Sequence, residues 1–282
     1  MNHDRQLPMD GAHASGWLWL LAVGAWIGLL LYRAAAARLT CRGDRWPRIR
    51  SSCAAAGATS LAAGAVLPYA TPSHSFVVAV AQHLLMVMVA PAFLAGAAPV
   101  TLALRACAPR HRRRLLRVVR SRYAGLMTGA PLVLLLDVGG LYAFYLTPLY
   151  GWAHHRPAAA LMLHLHMVIA GYLISSYLVG IDPMPHRDRV SGRLMVLLAA
   201  SAAHDVLAKL MVAHALPTGV GDVRAGAELM YYGGTAVEFG LALSLLSQWY
   251  RAGSRDLDRR RRRAAESAIA AGQPTAPVNA GG

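Results

Sequence analysis

Two polar side chains, Gln82 and His83, sit inside the long apolar stretch 74–105, which Pro91, Gly96 and Pro99 also interrupt. About 20 apolar residues cross the hydrocarbon core of a bilayer, so a segment of this length is a membrane helix. An imidazole there is costly and must be relieved by a partner side chain, a cavity or a metal ion. Of the three, metal ligation is the one that does chemistry.

Other apolar stretches carry side chains of the same kind: His164 and His166, Asp137, and His214. Thioethers fall at helical spacing beside them. Met86 lies three residues after His83, Met167 three after His164, Met162 four before His166, and Met211 three before His214. Residues three or four apart share a helix face. Imidazole suits copper and zinc, and thioether adds a preference for Cu(I). A metal set of His83, His164, His166, His214 and Met86 is therefore one reading. The other is that methionine packs the core and each histidine bonds a neighbouring helix.

Asp137 costs about 2.5–3.5 kcal/mol at a helix centre on insertion scales, so it needs a partner. A histidine of the set serves, with Asp137 orienting or ligating, and a structural hydrogen bond serves as well. His204, Asp205 and Lys209 lie close together further along, and the four-residue spacing predicts an intrahelical Asp205–Lys209 ion pair. Glu238 could join them, in which case the group offers a path for protons. No phosphate loop, nucleophile elbow or H-E-x-x-H motif is present.

The elements that position these groups are seven apolar runs, near 16–33, 54–70, 75–104, 123–147, 157–181, 193–216 and 226–250. The second is rich in alanine and glycine, which permits close helix packing. Lysine and arginine alternate strongly between the connections, 24 on one side against three on the other. The basic side is cytoplasmic, which predicts an all-α polytopic bundle of seven transmembrane helices with the amino terminus outside and the carboxyl terminus cytoplasmic. At 1.5 Å per residue, His83, His164 and His166 then lie about 10–13 Å below the outer face, Asp137 about 15 Å, and His214 only a few ångströms. The ligand-type side chains thus gather in the outer half of the membrane.

Composition agrees. The 282 residues are 56% hydrophobic and 15% charged, and mean hydropathy is +0.39, a membrane protein's profile. The net charge of +15 would suggest nucleic acid in a soluble chain. Here the basic residues cluster between apolar spans, and nucleic-acid binding is excluded. Cys41, Cys53 and Cys107 show no metal-motif spacing and read as free thiols on a reducing face. Positive charge (Arg33, Arg38, Arg42, Arg45) follows the first run, which marks it as a retained span instead of a cleaved signal. Residues 1–254 are expected to form the membrane domain. The basic remainder, 255–282, reads as a disordered cytoplasmic tail whose Arg259–Arg263 run holds anionic lipid heads.

The segment QHLLMVMVAPAFLAGAAPVTLALR (Gln82–Arg105) resembles the signature of the CtaG-like family of cytochrome c oxidase assembly factors. HLHMVIAGYLISSYLVGIDPMP (His164–Pro185), HALP (His214–Pro217), and Asp222 with Ala225–Gly226 extend the likeness over roughly residues 60–250. The resemblance implies a seven-helix fold in a bacterial plasma membrane, required to build active haem–copper oxidase and found elsewhere linked to copper-handling domains. It implies copper as cargo, an oxidase subunit as partner, and functional roles for His83, His164 and His214. Where the family often has a second histidine four residues before the one in Gln-His, this chain has Ala79; His74, one turn further out, is the candidate replacement.

Three functions are thereby expected in order. The first is an assembly protein without enzymatic turnover, which holds copper near the outer face and passes it on by ligand exchange. The second is a membrane haem protein or oxidoreductase, against which stands the absence of a His pair 13 or 14 residues apart on one helix. The third is a copper or proton-coupled transporter using Asp137, Asp205, Lys209 and Glu238.

Overall fold

The computed structural model describes residues 18–71, 75–154, 156–185 and 188–270. Every regular element among them is helical. In chain order these are α1 Trp19–Cys41, α2 Arg48–Ala70 and α3 Phe76–Ala106, then α4 Pro109–Val119, α5 Arg122–Met127 and α6 Ala130–Leu146. They are followed by α7 Leu149–His154, α8 Pro157–Val179, α9 Val190–Ala213 and α10 Val223–Ala270.

Six of these (α1, α2, α3, α8, α9 and α10) are long and apolar enough to cross a membrane. The fourth expected span, 123–147, is divided. Thr128 and Gly129 separate the short α5 from α6, and Pro131 in the first turn of α6 has no N–H with which to continue the earlier helix. What remains, Ala130–Leu146, is a shorter apolar helix, about 25 Å at 1.5 Å per residue. At the other end, α10 continues past 254 to Ala270. Of the expected tail, 255–270 belong to this helix, while residues 271–282 lie outside the described residues. Arginine and alanine are good helix formers, and Asp256 and Arg260 pair across one turn at 3.0 Å.

Helix α3 is central, packing against α2, α8 and α10. The small residues of α2 do what their size permits. Gly57 lies against Leu94, and Gly64 against Met86 and the carbonyl of Gln82, so closely that no Cβ fits at either position. The outward side of α1 (Trp26, Ile27, Leu30, Leu31) is exposed and apolar, the composition of a lipid-facing surface.

Three proline-linked irregularities shape α3. Pro91 has no N–H to offer the Val87 carbonyl, which instead points at Gly171 of α8, where a Cβ would collide with it. The turn between, Leu84–Val89, widens to a π-helix, and its Leu85 carbonyl also accepts a hydrogen bond from the Ser60 hydroxyl at 2.8 Å. Further on, Ala98 takes a left-handed conformation (φ 52°) ahead of Pro99 and breaks the helix. The Ala97 carbonyl beside the break is met by the Tyr32 hydroxyl at 2.8 Å. The helix then resumes under a cap supplied from far along the chain. Buried Asp182 accepts from the backbone N–H of Val100 (3.1 Å) and Thr101 (2.7 Å) and from the Thr101 hydroxyl (2.6 Å). The Gly-x-Asp-Pro loop after α8 therefore fixes the last part of α3, Pro99–Ala106.

Candidate functional site

His83 is the last residue before the π-turn of α3 and is 5% exposed. Its ring lies 6.5 Å, centroid to centroid, from that of His204 on α9, with the planes inclined by 43°. On its other side the Tyr145 ring of α6 meets it edge-on at 5.9 Å. His204 is also 5% exposed. Its Nδ1 lies 3.4 Å from Glu238 Oε1 of α10, and neither ring nitrogen is hydrogen-bonded among the described residues. The Ser201 hydroxyl donates to the same Glu238 carboxylate. Room for the His204 ring comes from Gly234, whose missing side chain leaves the space the imidazole fills.

A cavity of about 40 Å³ opens between these groups. Its lining includes His83, His204, Asp137, Glu238, Met88 and Met167, contributed by α3, α6, α8, α9 and α10. Asp137 stands in a second π-turn, Leu135–Gly139, within α6. Such turns redirect side chains and recur at functional sites; here one follows His83 and the other contains Asp137. The cavity has room for water or a small ion.

The expected site residues are divided by the fold. His83 and Asp137 meet at the cavity. His164 is half-buried, with Nδ1 2.7 Å from the Ala160 carbonyl and its ring 6.5 Å from that of Phe144. His166 is exposed beside Gly140, and His214 is exposed at the end of α9. Met86 is fully buried but turns toward Gly64 of α2 and does not line the cavity. Met167 does line it, whereas Met162 is 72% exposed. Among the described residues no three His, Cys, Asp or Glu side chains group closely enough to hold a metal ion. His74 lies outside the described residues. The Asp205–Lys209 ion pair is not formed: the Lys209 ammonium sits 5.8 Å from the Tyr231 ring, and buried Asp205 Oδ1 has no hydrogen-bond partner among the described residues.

Sequence reasoning placed His204 and Glu238 together but not beside His83, and it missed Met88. The signal available for His204 was the Gly233–Gly234 pair on the last helix, which marks a close approach by something bulky.

A polytopic helical membrane protein with ionisable groups around a buried cavity is the class these features define. The chain belongs to the cytochrome c oxidase caa3 assembly factor family (Caa3_CtaG), whose sequence model matches residues 30–252. It is 32% identical over 191 residues to an uncharacterized protein of Mycobacterium bovis and, equally, to one of Mycobacterium tuberculosis. Each match covers 61% of this chain and 27% of the relative. An uncharacterized protein of Mycobacterium leprae is 30% identical over 189 residues, covering 61% of this chain and 28% of that protein. The chain thus spans little more than a quarter of the length of these curated relatives. No solved structure matches it.

Proposed function

We propose that this chain serves oxidase assembly in a bacterial plasma membrane by holding copper, without turnover, and passing it to a haem–copper oxidase subunit. In this reading α6 is the seventh span, the amino terminus is outside, and the metal is cargo. The observation that carries it is the pair of buried imidazoles, His83 and His204, on a cavity whose lining also includes two thioethers. No hydrogen bond among the described residues occupies either ring nitrogen of His204, and a neutral imidazole there keeps one lone pair for a metal. Imidazole with thioether favours Cu(I). In this reading His204, Met88 and Met167 join His83 as donors, where the sequence offered His164, His166, His214 and Met86.

Release follows from the composition of the site. A thioether is a weak ligand, so Met88 or Met167 can yield to a ligand on the client while the imidazoles still hold the ion. Asp137 and Glu238 bring carboxyl groups to the same cavity; ionised opposite a cation, they would offset part of its desolvation. The test is complementation of a strain lacking this chain. With His83→Ala or His204→Ala, membrane insertion continues and the copper content of the oxidase falls. Normal oxidase copper in both variants defeats the assignment.

A transporter is the second reading, favoured by the two carboxylates at the cavity and by the unpartnered Asp205 Oδ1. Copper uptake into sealed vesicles, abolished by Asp205→Ala, would favour it over assembly.

A further inference from the structure

Helix α3 ends at Ala106 and α6 begins at Ala130, so residues 107–129 join two apolar helices at the boundary between membrane and water. This connection carries seven arginines and no acidic residue. In α4, Arg110, Arg113, Arg114 and Arg117 recur at i, i+3, i+4 and i+7 and are all exposed, which places them on one helix face. Leu115, Leu116 and Val119 are half-buried on the other side. None of the four arginines forms a salt bridge among the described residues, unlike Arg105 with Asp44, Arg224 with Glu228 and Arg260 with Asp256.

Apolar side chains continue beyond the basic face. Val118 is 64% exposed, Tyr123 66% and Leu126 61%. The Arg122 guanidinium lies 5.4 Å from the centre of the Tyr123 ring. A basic face joined to an exposed apolar and aromatic edge is the pattern of a helix lying in the interface plane. Tyrosine takes the same level because its ring is apolar and its hydroxyl wet.

We propose that α4 and α5 form a binding site for anionic phospholipid headgroups, with Val118, Tyr123 and Leu126 in the acyl boundary and the four-arginine face on the phosphates. Charge complementarity selects the occupant: unpaired guanidiniums bind phosphate in forked geometry, and no carboxylate in the connection opposes them. The site lies apart from the His83 cavity and does not depend on copper.

The test uses the full chain purified in mild detergent, offered equal amounts of phosphatidylglycerol and phosphatidylcholine, with retained lipid counted by native mass spectrometry. The wild type is expected to retain phosphatidylglycerol at least fivefold over phosphatidylcholine. Replacing Arg110, Arg113, Arg114 and Arg117 together by Gln should remove that preference, and replacing them by Lys should keep most of it. Both variants change exposed side chains, and an unchanged melting temperature will show that they fold. Equal retention of the two lipids by the wild type overturns the proposal and leaves the basic face for an acidic protein. So does a Gln variant that keeps the preference.

Discussion

The rings of His83 and His204 lie 6.5 Å apart on two helices, α3 and α9, with a third helix holding each in place. Tyr145 of α6 abuts the first and Glu238 of α10 approaches the second. The pair is built by helix packing, so residues outside the cavity control it.

Gly234 is one such residue. A methyl group there would run into the His204 ring. Gly234→Ala should displace that ring, reduce copper retention, and cost about 1–3 kcal/mol of stability through overpacking. At Gly240 of the same helix a methyl group would meet nothing within 4 Å, so Gly240→Ala should leave copper retention unchanged. Thermal unfolding and metal content of the two purified variants check both statements.

Asp182 holds the break in α3. Asp182→Ala leaves the N–H groups of Val100 and Thr101 without their acceptor and should cost about 1–3 kcal/mol, while Asp182→Asn, which keeps an acceptor oxygen, should cost less. Hydrogen exchange at Val100 and Thr101 is the direct readout, and it should quicken in the Ala variant before exchange at Val80 does.

The Val87 carbonyl, freed by Pro91, fits only because residue 171 is glycine. Gly171→Ala should force α8 away from α3 at the level of Met167 and destabilise the fold by about 1–3 kcal/mol. A melting temperature equal to that of the wild type would show that the two helices have slack at this point.

Much of this architecture is legible in the sequence, for definable reasons. Length and hydropathy identify the long spans, and the polar cost of His83 and Asp137 in hydrocarbon marks them as residues with partners. The Gly-x-Asp-Pro element stands out, though not the reason for it, since Asp182 acts on Thr101, a contact no local pattern encodes. Periodicity tells which residues share a face but not which faces meet. Thus Met86, correctly spaced from His83, turns to α2, while Met88 reaches the cavity once the π-turn has rotated the helix beyond His83. The Asp205–Lys209 spacing was likewise right for a pair, and Tyr231 of α10 takes Lys209 instead.

The orientation is open to a direct check. Cys41 and Cys107 are exposed near the ends of α1 and α3, and in the proposed orientation, with the basic connections facing inward, both lie on the cytoplasmic side. A membrane-impermeant maleimide should label them in permeabilised cells and not in intact spheroplasts, while a Thr147→Cys variant should be labelled in both. Labelling of Cys107 from outside would invert the bundle and place the four-arginine face of α4 on the outer leaflet.

Copper bound per purified chain tests the central claim most directly, measured for the wild type, for the His83→Ala and His204→Ala variants, and for His214→Ala. The account predicts that each of the first two substitutions lowers copper affinity roughly tenfold or more, about 1.4 kcal/mol, and that the exposed His214 can be lost without effect. Copper held by His214 and indifferent to His204 would contradict it.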